Sequence, residues 1–455
     1  EGDAVLLASS LPLLRTFARQ RLAVDWSRLA TYLLSPQMRG QATCLQGVRE
    51  LPGGCCLEVD AAGAATGQIW SPWPFACPDR PLATCDEAVE AVGRAVDGAV
   101  AARCGLARDP VLLLSGGLDS SAIAAVLAGA GQTFSALTMV TRQKGGDERV
   151  YARAVAERTG ARLTECLRST RAIDWDDTTP GRLPRPSARV FRQPTLTAAG
   201  RLAAAVGTDT ILDGGGGDNL FCSLQSVAPL LDRWAIEGPG RGVWTTACDT
   251  ALRADVSVAA VLGKAVRRLA SGRIAFRWPT DANFLSAATR KLTGAVSHPW
   301  LDPPPGTLPG QAAHVALVLD AIGLAEDDST CPAVRTLSPL VAQPIVEAVL
   351  RVRSWLWFER GRNRAVIRRA FADRLPAAVV ERTGKGTPMG FMGEVVEAHR
   401  AQLRDLLLGG VLVAQDIADP GAIDAALAPA TLPREQRYAQ LLILADAERW
   451  ARSWR

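Results

Sequence analysis

The sequence predicts a doubly wound α/β fold, a parallel sheet with helices on both faces, followed by a largely helical C-terminal half. Three observations carry that expectation. Short continuous apolar runs, such as Val111-Leu112-Leu113-Leu114, fit strands buried on both faces of a parallel sheet. Segments of helical periodicity follow these runs, in the alternation that builds βαβ units. Glycine-rich turns stand where strand passes to helix, at 115–117 and 214–217, and sheets of this type bind ligands beyond the carboxyl ends of their strands.

The elements follow in order. The first seventy or so residues alternate short apolar runs (Ala4-Val5-Leu6-Leu7, Cys56-Leu57-Glu58-Val59) with turn signals, and read mainly as short strands around one helix at Leu11–Arg21. The stretch from Ser71 to Pro81 is too proline-dense for a helix or an inner strand. Residues 85–104 carry Ala88, Val89, Val92, Ala95, Val96 and Val100 at helical spacing. Strands are then expected at Val111–Leu114, Phe134–Val140, Arg162–Leu167 and Thr210–Leu212. Helices are expected after the first strand, at Asp147–Arg158 closed by Gly160, and at Leu196–Val206. From about 225 onward the pattern is helical, broken by a loop at 302–306.

Composition excludes several kinds of function. Fifty-one basic against 46 acidic residues leave a net charge of +5, far from a nucleic-acid arm or a polybasic anchor, so neither nucleic acid nor membrane is an expected partner. The three histidines, His298, His314 and His399, are not at metal-ligand spacing, which weighs against a zinc enzyme and a Ser-His-Asp hydrolase. The ten cysteines form no C-x-x-C pair and read as reduced thiols. With no transmembrane stretch and no signal peptide, a cytoplasmic protein is expected.

The strongest motif is Ser115-Gly116-Gly117-Leu118-Asp119-Ser120-Ser121, between a buried strand and a helix. Its glycines bring backbone N–H groups close to an anion, and the helix adds its positive end. Asp119 suits a phosphate site only with a cation between them, which suggests Mg²⁺. A second loop, Asp213-Gly214-Gly215-Gly216-Gly217-Asp218-Asn219, ends the strand at Leu212 and offers Asp218 as the second carboxylate.

The first string is the pyrophosphate-loop signature of adenine nucleotide α-hydrolase-like enzymes, and the two loops together resemble the synthetase domain of the asparagine synthetase superfamily. Asp147-Glu148-x-x-Tyr151-Ala152 resembles a helix of that family, and Arg382-Thr383-Gly384-Lys385-Gly386 is similar to its lysine-bearing loop. Ala8-Ser9 and Leu51-Pro52-Gly53-Gly54 resemble the end of its glutaminase domain. The resemblance divides the chain into an incomplete glutaminase-like region, 1–82, and a synthetase domain, 83–455. Gly215 stands where asparagine synthetases have glutamate and β-lactam synthetases tyrosine, a departure expected to make room for a bulkier acceptor. Segments 338–347 and 361–376 are similar to lasso peptide cyclases, which close a peptide amine onto an Asp or Glu side chain.

This resemblance implies ATP and Mg²⁺ as cofactors. Leu113, Ser115, Gly116, Gly117, Asp119, Ser120, Thr138 and Gly214 would bind ATP, Asp119 and Asp218 the metal, and Lys385 and Asp218 would serve catalysis. The implied partners are a linear core peptide, a leader peptidase and a leader-binding protein. An asparagine- or β-lactam-synthetase-like enzyme and a non-catalytic peptide-binding paralogue remain alternatives. Most of the arginines crowding 351–369 read as a solvated helix face, His298 and His314 as structural, and Lys144 as a possible neighbour of the nucleotide.

Overall fold

In the computed structural model, residues 5–17, 21–60, 63–141, 146–177, 182–187, 189–272, 276–295, 297–324, 334–384, 386, 389–428 and 435–454 are described. The N-terminal region holds α1 (Leu11–Phe17), α2 (Trp26–Leu34) and an antiparallel hairpin of β1 (Cys55–Asp60) and β2 (Gly63–Gln68). It is therefore less strand-rich than expected, and residues 5–7 form no strand. The reason for α2 is a helical face, Leu29, Ala30, Leu33 and Leu34, all buried, started by the Asp25 side chain accepting the Arg28 N–H at 3.0 Å. A short helix, α3 (Trp73–Ala76), also forms inside the proline-rich stretch. Pro74 sits in its first turn, where a missing N–H costs nothing.

Next comes α4 (Cys85–Cys104), opened by a Thr84–Glu87 capping box. The sheet then forms from β3 (Val111–Leu113), β4 (Ser135–Val140), β5 (Arg162–Leu167), β6 (Thr210–Leu212) and β7 (Arg335–Leu337). All pairings are parallel and the spatial order is β5-β4-β3-β6-β7. Strand order reverses between β3 and β6, so the loops leaving those two strands open into one crevice. The connecting helices are α5 (Leu118–Gly129), α6 (Arg149–Thr159) and α7 (Gln193–Val206); α6 ends on Gly160 at φ 70°, as expected.

Beyond β6 lie α8 (Gly217–Leu220), α9 (Ala228–Glu237), α10 (Arg241–Ala254), α11 (Val258–Ala270), α12 (Ala287–Arg290) and α13 (Pro309–Leu324). After β7 come α14 (Gln343–Leu350), a small hairpin of β8 (Phe358–Glu359) and β9 (Arg362–Asn363), and α15 (Ala365–Ala370). Further helices follow among the described residues between Ala377 and Arg452. No described helix is long and apolar enough to cross a membrane. The main core joins α4, α5, the sheet, α13 and α14. A second core draws on both ends of the chain, packing Leu29, Leu33 and Leu34 with Val395, Leu403, Leu441 and Trp450.

One buried acid holds α13 in place. The Asp232 carboxylate on α9 accepts the Gly310 N–H at 2.7 Å and the Ser354 hydroxyl at 2.6 Å. Burial pushes its pKa up from 3.8 to about 6. The folded state therefore keeps a proton that the unfolded chain has lost, and that contribution to stability disappears as pH rises from near 4 through 6. Asp232→Asn keeps the shape, since its amide can donate to Ser354. Urea titrations from pH 4 to 7 should show the variant gaining up to about 3 kcal/mol on wild type. Parallel stability curves for the two proteins would refute the titration.

Candidate active site

Ser115 to Ser121 turns from β3 into α5, and its geometry requires glycine. Gly116 has φ 68°, and a Cβ there would lie 2.5 Å from the Tyr151 Cβ and 2.6 Å from the Ala152 nitrogen. The turn is tied internally: the Gly117 N–H donates to the Ser115 hydroxyl at 3.2 Å and the Ser115 N–H to the Ser120 hydroxyl at 3.3 Å. Asp119, in the first turn of α5, is buried. The second loop presses against the first. A Cβ on Gly217 would sit 2.5 Å from the Asp119 Cγ, and one on Gly214 2.9 Å from the Ser120 nitrogen. The glycines thus let two backbone loops and one carboxylate share a space no side chain could enter.

Asp119 and Asp218 converge on Arg364, which joins them. Its Nη1 lies 3.2 Å from both Asp119 carboxylate oxygens and 2.6 Å from Asp218 Oδ1. Arg364 enters α15 from a left-handed backbone conformation at φ 58° and is buried. Arg368, one turn on, is buried too. Its pKa is lowered to about 10, first by burial and then by Arg364, Arg362 and Arg253. The arginine-rich segment therefore divides: Arg364 belongs to the site, Arg368 is buried donating to the Asn363 and Val380 carbonyls, and Arg369 pairs with Asp86 and Glu359 at the surface.

The room expected beside Gly215 is already filled. Asp213 accepts the Ser338 hydroxyl at 2.6 Å and the Gly215 N–H at 3.0 Å, and a Cβ on Gly215 would meet both side chains at 2.9 Å. Asn219 donates to Asp320 Oδ2 on α13 at 2.6 Å. Burial raises the Asp320 pKa, and the Asn219 hydrogen bond opposes that shift. Sequence reading missed Asp320, although its signal was there: besides His314 it is the one ionisable group in the apolar run 309–324.

Glu148 fastens the Arg382–Gly386 loop to the first turn. It pairs with Arg382 at 2.7 Å and accepts the Gly386 N–H at 3.1 Å, and the Arg382 guanidinium lies 4.1 Å over the Tyr151 ring. Arg382 also donates to the Gly116 carbonyl at 3.4 Å. Lys385 and Lys144 lie outside the described residues. Leu113 ends β3 and Thr138 is buried on the adjacent β4, where Leu113 pairs with Leu137. The histidines are structural: His314 bonds the Leu220 carbonyl at 2.8 Å, His298 accepts the Trp300 N–H at 3.1 Å, and burial lowers both to about 4.

Two carboxylates on glycine loops at the switch point of a parallel sheet, joined by Arg364 from the start of α15, define a doubly wound α/β protein with a charged crevice. Residues 91–452 match the asparagine synthase family, and the chain belongs to that family. It is also 33% identical over 123 residues to the carboxyethyl-arginine beta-lactam-synthase of Streptomyces clavuligerus. That match takes in 27% of this chain and 23% of the relative's length.

Proposed function

We propose that the chain is an ATP-dependent amide-forming ligase that closes a macrolactam in a peptide, as lasso peptide cyclases do. The observation that carries the ligase reading is the convergence of Asp119 and Asp218 across the two glycine loops, in a chain of the asparagine synthase family. The peptide acceptor is favoured by segments 338–347 and 361–376, which are similar to those of lasso peptide cyclases.

The residues present fit magnesium. A single nitrogen, Arg364 Nη1, already contacts both carboxylates, so one cation can span them. Among the described residues no cluster of three or more His, Cys, Asp or Glu could hold a metal by itself. That suits magnesium, which takes one or two protein carboxylates and completes its shell with phosphate oxygens and water. When bound, the ion neutralises charge on the triphosphate.

In this reading the adenine lies near Leu113 and Thr138, and the Gly116 and Gly117 amides with the Ser115 and Ser120 hydroxyls cradle the phosphates. Gly214 lets the second loop approach, and Lys385 stabilises charge on the phosphates. A peptide carboxylate oxygen attacks the α-phosphorus, the bond to the β-phosphate oxygen breaks, and pyrophosphate leaves. The peptide α-amine, with a pKa near ~8, then attacks the acyl carbon, the bond to AMP breaks, and the amine proton passes to solvent. Holding the two ends of one peptide together raises the effective concentration of the amine. A leader peptidase with a leader-binding protein would supply that free amine.

The test is to incubate the protein with ATP, Mg²⁺ and linear peptides and to weigh the products. A peptide lighter by one water, formed with AMP, is the expected result. Glutamine-dependent asparagine formation, or no AMP with any acceptor, would overturn the reading.

A further inference from the structure

We propose that a groove bounded by α10, α11 and residues 224–227 is a subsite for an acidic, apolar segment of the peptide substrate, an inference that rests on the peptide-ligase reading above. The cavity holds about 400 Å³, within the size of small-ligand pockets. Val227, Val261 and Phe358 contribute apolar walls, and the charged lining residues are Arg253, Lys264 and Arg267. Among the described residues no acidic side chain lines it. On the same helices Asp249 is turned away to accept the Gly361 N–H at 2.9 Å, and Asp255 forms the C-cap of α10 outside the cavity wall.

The charge is built in. The Arg253 Nε is buried with no hydrogen-bond partner, a cost normally met by an acceptor. Its positive field reaches Arg368 and helps to lower that group's pKa. The helix α11 buries Val261 and Ala265 and leaves Lys264 and Arg267 exposed along the groove. A bare phosphate would satisfy the cations and leave the apolar walls uncovered, whereas a carboxylate flanked by an apolar side chain satisfies both.

The groove is also joined to the reaction site. Residues 224–227 follow α8, which carries Asp218, and Phe358 lies on β8, whose partner β9 runs directly into Arg364. The segments that wall the groove are thus continuous in sequence with those that carry Asp218 and Arg364.

The experiment uses the full chain without ATP, so that it reads binding alone. The probe is a short fluorescein-labelled peptide of alternating glutamate and phenylalanine, followed by anisotropy, with its glutamine-for-glutamate counterpart as control. We expect saturable binding that the glutamine peptide lacks, weakened at least about tenfold by Lys264→Glu with Arg267→Glu. Thermal melting checks the fold of that variant. If it melts early, Lys264→Gln with Arg267→Gln is used, with about a threefold weakening expected. Absence of binding to wild type, equal binding by the variants, or displacement by inorganic pyrophosphate would each overturn the subsite. Failure of the ligase reading is distinguishable, because AMP release from ATP is measured separately.

Discussion

Asp119→Asn should reduce ATP-dependent AMP formation by about a thousandfold while leaving the fold intact. The side chain is buried in the first turn of α5, where it faces the second glycine loop and Arg364. Asparagine has the same shape, and its carbonyl oxygen can still accept from Arg364, so little packing is lost. What disappears is the negative charge that completes a cation site with Asp218. Losing one strong electrostatic contact in a transition state typically costs about 4 kcal/mol, and each 1.4 kcal/mol is roughly tenfold in rate. The measurement is AMP release at saturating ATP over a range of Mg²⁺, with a melting curve beside it. The concentration of Mg²⁺ giving half-maximal rate should rise as well. Activity within tenfold of wild type would remove Asp119 from the reaction.

The glycine loops and their aspartates were legible because their chemistry is local. Gly116, Gly117, Asp119 and the run 214–217 are adjacent in sequence and bounded by apolar strands, and Arg162–Leu167 and Thr210–Leu212 form at the expected bounds. Arg364 was not legible, since it reaches Asp119 across 245 residues and stood among several similar arginines. The strand β7 was missed for a related reason: Arg335-Thr336-Leu337 has no apolar run, and pairing with β6 is what makes it a strand. In the N-terminal region the period was misread, because α2 interleaves Ser27, Arg28 and Thr31 with its buried leucines. The Asn219–Asp320 contact depends on α13 packing beside α8, a tertiary fact that a single acid in an apolar run announces.

Arg364→Met should destabilise the protein by about 3 kcal/mol when magnesium is absent, and added Mg²⁺ should restore part of that loss. The Arg364 and Asp119 side chains are 10% and 6% exposed, so the guanidinium is the near counter-charge for a carboxylate largely withdrawn from water. Removing one partner of such a pair weakens the compensation of a buried charge, and breaking a buried ion pair typically costs 3–5 kcal/mol. Asp218 is 37% exposed and more readily solvated, which places the expectation at the lower end. Methionine is unbranched and fills most of the vacated volume, so the loss reports charge more than packing. Two carboxylates that shared one cation would then face each other, and a divalent ion is the species that relieves them. Binding to the native state alone adds stability that grows with the logarithm of Mg²⁺ concentration, so the variant's urea midpoint should rise with Mg²⁺ more steeply than wild type's. Wild type already has a cation between the acids, so Mg²⁺ must displace Arg364 before it can bind there. A variant as stable as wild type, or one whose midpoint ignores Mg²⁺, would show that Arg364 does not hold the two aspartates together.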